Sequence, residues 1–149
     1  MDKIKYKNSD SKCACKVSLD IVGDRWSLII VRDLFRGKNT YSQFLNESPE
    51  RIASNVLSDR LKKLVEFKII NYRVNLLDRK IKEYYLTNRG VDLYDIIHEL
   101  QCWTIDNVDF NQSSNTKKFK KLTKSKRKDI IISNFKSQYK KSRIKDFGI

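Results

Sequence analysis

Apolar residues return at every third or fourth position between residues 52 and 67, the clearest helical rhythm in the chain. At about 100° per residue, Leu57, Leu61, Leu64 and Val65 share one side of that helix. Asn55, Asp59, Lys62 and Lys63 fall opposite, with Ser54 and Ser58 on one flank and Arg60 on the other. The rhythm then changes. Residues 69–74 and 83–87 are branched and aromatic runs that predict paired strands. The connection at residues 76–82 reads as a hairpin tip carrying Arg79, Lys80 and Lys82.

The flanking elements are shorter. Residues 1–12 are polar and predict a flexible arm, and residues 16–22 predict a short helix ended by Gly23. Asp24 is placed to cap a helix over Arg25–Phe35, whose Trp26, Leu28, Ile29, Ile30, Val31 and Leu34 wrap most of its circumference. A central, buried helix is expected there. Thr40 can cap a further helix through Leu45, with Tyr41 among its apolar contacts, and Pro49 marks the turn before the periodic stretch. Beyond the hairpin, Val91, Leu93, Tyr94, Ile97, Leu100, Gln101 and Trp103 make a broad apolar stripe. In the tail, Ile131, Phe135 and Tyr139 recur at four-residue spacing on an expected helix.

The outer face of the periodic helix has short hydrogen-bonding groups at its start and cations toward its end. A helix entering a major groove needs that arrangement, because amide and hydroxyl groups read base edges while longer cations reach phosphates. A basic hairpin tip suits a phosphate backbone or a minor groove. Singly, each feature has an ordinary explanation as a solvated helix face or a charged turn. In succession they predict a winged helix-turn-helix, of α+β class but mainly helical, with a two-stranded wing. Ser54, Asn55, Ser58, Asp59, Arg60, Lys62 and Lys63 are then the candidate recognition-helix contacts, and Arg79, Lys80 and Lys82 the candidate wing contacts.

Net charge alters this picture by its location. Residues 115–149 hold thirteen of the 32 Lys and Arg but two of the 18 Asp and Glu, so +11 of the +14 lies in the tail. The remaining +3 belongs to a nearly balanced part, with a boundary in the polar stretch 111–116. Three regions follow: an arm over 1–12, a domain over 13–110, and a basic, partly helical extension over 111–149. The extension has three readings: non-specific DNA affinity by counterion release, a packing helix, or contact with a membrane surface. No apolar run reaches 18 residues, so a cytoplasmic, nucleoid-associated bacterial protein is expected. One histidine and the lack of a Gly-rich phosphate loop argue against an enzyme, and nothing calls for a cofactor.

The motif order resembles the HxlR-type transcriptional regulators, a MarR-like branch of winged-helix proteins. The matching pieces are Cys15, LDIVGDRWSLIIVRDLFRGKNTYSQF, IASNVLSDRLKKLVEFKII, EYYLTNRG, and an amphipathic helix ending near Trp103. The resemblance implies a homodimer built from terminal helices, with Leu19, Leu93, Tyr94, Ile97 and Trp103 at the interface, on a pseudo-palindromic operator. Some members of that family use a cysteine at the position of Cys15 as a redox or electrophile switch, so Cys15 is a candidate sensor and Cys13 a candidate resolving thiol; the alternative is a thiol with no sensing role. Lys12 and Lys16 flank Cys15 and favour its thiolate. His98 and Cys102 lie four residues apart and, with Cys13 and Cys15, offer a Cys₃His set; the C-x-C spacing is unusual for zinc, and no metal is expected. A sequence-specific dimeric regulator is the leading expectation. An architectural DNA-coating protein that binds mainly through its tail is the alternative.

Overall fold

The computed structural model describes residues 1–7 and 11–149; the remainder of the expected arm, residues 8–10, lies outside the described residues. Eight helices and two strands follow in order among the described residues. They are α1 (Ala14–Val22), α2 (Arg25–Phe35), α3 (Tyr41–Glu47), α4 (Ser54–Glu66), β1 (Ile70–Val74), β2 (Lys82–Leu86), α5 (Asn88–Asp92), α6 (Tyr94–Asn107), α7 (Ser114–Ser125) and α8 (Lys128–Phe147). The chain divides into two compact units, Met1–Gly90 and Val91–Ile149.

The first unit is a helix-turn-helix with a two-stranded wing. Asp24 starts α2 by accepting hydrogen bonds from the Trp26 and Ser27 amides, both at 3.0 Å. Thr40 and Gln43 form a reciprocal capping box at the start of α3. Leu57, Leu61 and Leu64 of α4 are buried with Ile30, Val31 and Leu34 of α2 and Phe44 of α3. Burying the apolar face of α4 leaves its polar face outward, which is why the sequence period holds in the fold. By contrast, α2 is less enclosed than expected, since Trp26, Leu28 and Ile29 remain partly exposed. Its buried set includes the polar Ser27 and Asp33 instead.

β1 and β2 pair antiparallel, with Arg73 opposite Glu83 and Val74 opposite Lys82. The Tyr84 amide donates to the Asn39 carbonyl at 2.7 Å, and Thr40 bridges Glu83, so the base of the wing is tied to the start of α3. Gly90 is needed for close approach: a Cβ there would stand 2.1 Å from the Ile69 carbonyl oxygen.

The second unit holds α6, α7 and α8, and it corrects two expectations. Tyr94 and Ile97, expected at a dimer interface, are buried within this unit. Tyr94 stacks on Phe135 of α8 at 4.9 Å between ring centroids. His98, 1% exposed, meets the edge of Phe119 of α7 at 5.1 Å, and its Nδ1 has no hydrogen-bond partner. Burial pushes the His98 pKa down, against the opposing pull of Glu99 and Asp95. The apolar stripe of α6 is therefore two faces rather than one. Tyr94, Ile97 and His98 are buried among the tail helices, whereas Ile96, Leu100 and Trp103 stay exposed and Leu93 is half-buried. The compact unit accordingly begins at Val91, not at the composition change near Asn111, because the tail aromatics need the α6 face to bury against.

Candidate nucleic-acid interface

The turn between α3 and α4 is held from within. Arg32 donates to both Glu50 carboxylate oxygens, at 2.5 and 2.9 Å, and to Asp33 at 2.8 and 3.1 Å. The Ser48 hydroxyl donates to the other Asp33 oxygen. Hydrogen bonds from Arg32 hold Glu50 well below the usual carboxylate range, at about 2. Directly after the last of these anchors, Arg51 adopts a left-handed conformation, φ 54°, one that L side chains seldom take. Ile52 is buried just after it. The network thus fixes where α4 begins.

Asp24 fixes how α4 lies. Besides capping α2, its carboxylate accepts from Ser27 Oγ at 2.5 Å, from Arg60 Nε at 2.9 Å and from Lys63 Nζ at 3.5 Å. Burial alone would raise the Asp24 pKa, but these hydrogen bonds and the Arg60 charge bring it below its ordinary value. Arg60 and Lys63, two of the candidate DNA contacts, are therefore half-buried and turned back onto α2. Ser54, Asn55, Ser58, Asp59 and Lys62 are exposed on the outer face. Asp59 also accepts from Arg60.

Tyr41 belongs to this surface, although its sequence position suggested only an apolar contact. Its hydroxyl donates to the Ser54 carbonyl at 3.0 Å and lies 3.3 Å from the Ser58 hydroxyl, which donates to it. A phenol near two serines at the start of α4 adds a polar group that no periodicity argument could assign.

At the wing, Arg79 and Lys80 are exposed on the tip. Lys82 is not at the tip. It lies in β2 with its ammonium 4.3 Å from the centre of the Tyr72 ring. The tip is ordered by its own side chains: Asn75 accepts from the Leu77 and Asp78 amides at 2.8 and 3.0 Å, and Asp78 accepts from the Lys80 amide at 3.0 Å. Leu76 and Leu77 stand 96% and 98% exposed beside these cations. The signal for them was present in the sequence, as two leucines inside a charged turn.

The thiols lie elsewhere in the first unit. Cys13 is the residue preceding α1 and Cys15 sits in its first turn, both exposed. Lys16, expected to favour the Cys15 thiolate, instead pairs with Asp20 at 2.6 Å, and Tyr6 donates to the same carboxylate. Cys102 is half-buried in the second unit, and burial pushes its thiol pKa up. Among the described residues, no group of three or more His, Cys, Asp or Glu is arranged to hold a metal ion.

A profile described as HxlR-like helix-turn-helix matches residues 21–112, more than half of the chain. The chain belongs to the HxlR-like helix-turn-helix family. Its HxlR-like segment ends within the α6–α7 connection, so α7 and α8 lie beyond the family match. An uncharacterised helix-turn-helix-type transcriptional regulator of Mycobacterium tuberculosis is 35% identical over 86 residues, 58% of this chain and 53% of that protein. The chain thus spans about half the length of that relative. The crystal structure of PA1607 aligns with a TM-score of 0.62 at 30% identity, covering 70% of this chain and 72% of that one. The redox regulator HypR in its oxidised form aligns at 0.58 and 26% identity, covering 66% of this chain and all of HypR. Among the described residues, no helix is long and apolar enough to cross a membrane.

Proposed function

We propose that this HxlR-like protein is a sequence-specific, DNA-binding transcriptional regulator that acts as a homodimer and responds to thiol oxidation. One observation carries the reading: α4 presents Ser54, Asn55, Ser58, Asp59 and Lys62 to solvent while Asp24 and the Arg32–Glu50 pair hold the helix rigidly. Pre-set short polar groups suit base edges, and Arg79 and Lys80 on the wing suit phosphates. Selection of binding sites from a randomised duplex pool tests it. A single preferred sequence is expected, and Asn55→Ala should cost about 1–3 kcal/mol and relax the preference at one position. Binding with no preferred sequence would leave the architectural alternative.

The dimer reading is supported by apolar side chains left outside both units. Leu19 of α1 is 59% exposed and Trp103 of α6 is 63% exposed, with Ile96 and Leu100 on the same side of α6. A two-fold pair would cover such faces and set two α4 helices about 34 Å apart. Ultracentrifugation at micromolar concentration should give a dimer, and Trp103→Glu a monomer. The thiol reading rests on the exposed Cys13 and Cys15 and on the redox regulator among the similar structures. Diamide treatment should change DNA affinity in the wild-type protein and leave a Cys13→Ser, Cys15→Ser double variant unchanged.

A further inference from the structure

The tail's cations are of two kinds. Lys128 of α8 pairs with Glu99 of α6, and Lys136 pairs with Asp95 and, at 3.5 Å, with Asp92. These pairs join α8 to Asp95 and Glu99 of α6 and to Asp92 at the end of α5. The lysines of α7 have no such role. At about 100° per residue, Lys117, Lys121 and Lys124 fall along one side of α7, Lys120 flanks them, and Phe119 lies on the opposite side, buried. Lys117, Lys121 and Lys124 are exposed, and α7 contains no acidic residue.

Such a row is unfavourable by itself. Like charges three and four residues apart repel, and Lys117 and Lys118 also sit near the positive end of the helix dipole. Their placement opposite a buried aromatic holds them outward on a formed helix, where salt screens the repulsion in part and an external polyanion would relieve it further. From Lys117 to Lys124 the row spans about 10 Å along the helix axis, at about 1.5 Å per residue. A strand of B-DNA places one phosphate per about 3.4 Å of axis, so the row matches about three successive phosphates.

We infer that the Lys117–Lys121–Lys124 row of α7 is a phosphate-backbone contact, binding duplex DNA without regard to sequence. The inference rests on the DNA-binding reading but not on its sequence specificity. Deleting the tail cannot test it, because Phe119 and Phe135 pack on residues of α6. The test uses the full chain with Lys117, Lys121 and Lys124 changed to Gln, and a second variant with all three changed to Arg. Affinity for a random-sequence duplex is measured against salt, with far-UV circular dichroism to show that both variants fold.

Each phosphate contact contributes about 0.9 to the slope of log affinity against log salt, so the Gln variant should lose about 2 to 3 in slope. Between 50 and 200 mM salt, the wild type should then lose about 40-fold more affinity than the Gln variant. The Arg variant should keep the wild-type slope, and all three proteins should select the same sequence from a randomised pool. An unchanged slope in the folded Gln variant overturns the inference, while a preferred site in the wild type leaves the proposed function standing. A slope loss with no preferred site in any of the proteins supports the row and removes the specific regulator. An altered preferred sequence overturns sequence-independence. Binding to phosphatidylglycerol vesicles that the Gln variant loses, with no wild-type binding to duplex, assigns the row to a membrane surface and overturns it.

Discussion

Helices α4 and α7 both carry lysines on their solvent side, yet they use charge in opposite ways. In α4, Lys63 and the neighbouring Arg60 are bound to Asp24, and Asp59 offsets what remains. In α7 three aligned lysines face solvent with no acidic residue in the helix. A tethered cation contributes orientation; an untethered one contributes long-range attraction that salt weakens. A helix meant to discriminate among sequences benefits from the first, since free cations grip every phosphate equally. Net charge alone would have ranked α7 as the binding helix and α4 as a bystander.

The comparison breaks most severely if α7 loses its buried anchor. Phe119→Ala should cost about 3 kcal/mol of stability through the cavity left beside His98, as read by urea denaturation. The salt slope should fall with it, because a frayed α7 no longer aligns its lysines. Removing the tether of α4 comes next. Asp24→Ala takes away the α2 cap and both ion pairs, at about 2 kcal/mol. Random-sequence binding should become more salt-dependent by about 1 to 2 in slope, since Arg60 and Lys63 are released. If that slope does not rise, the tether is not what limits their reach.

Smaller effects sharpen the same contrast. The Glu50 carboxylate is held at about 2, below its ordinary 4.5, so it contributes stability that is fully present above pH 4.5 and lost as pH falls through about 2. Glu50→Gln should therefore be less stable by about 1–2 kcal/mol at neutral pH, with the difference closing across that window. Changing Arg79 and Lys80 together to Ala should leave stability within about 0.5 kcal/mol and lower the salt slope by about 2, because both side chains are exposed at the tip.

Much of the first unit was legible in the sequence. Asp24 and Thr40 announced the starts of α2 and α3 because a cap needs partners only two or three residues away. The rhythm of Leu57, Leu61 and Leu64 showed the buried face of α4 for the same local reason. The wing strands were placed within a residue of their ends by β-branched and aromatic composition. Apart from the local Lys16–Asp20 pair, the features that differ from the sequence expectation in this unit depend on partners far along the chain or across the sheet. The helical period alone turns Arg60 and Lys63 toward DNA, but the carboxylate they bind lies 36 and 39 residues earlier. The charged run places Lys82 at the wing tip, but it pairs with Val74 in the strand and its ammonium lies over the Tyr72 ring.

The stripe of α6 shows where the division falls. Its sequence determined that a helix would form with more apolar surface than one small core requires. It could not determine which side the tail would cover, because both sides carry one aliphatic and one aromatic residue, Ile97 with Tyr94 and Leu100 with Trp103. Packing of Phe119 and Phe135 made that choice and left Trp103 outside. Local spacing thus set the elements and their faces, through interactions within a turn or two of helix. Which faces meet, and which charges stay free once they have met, was settled by contacts between residues far apart in the chain.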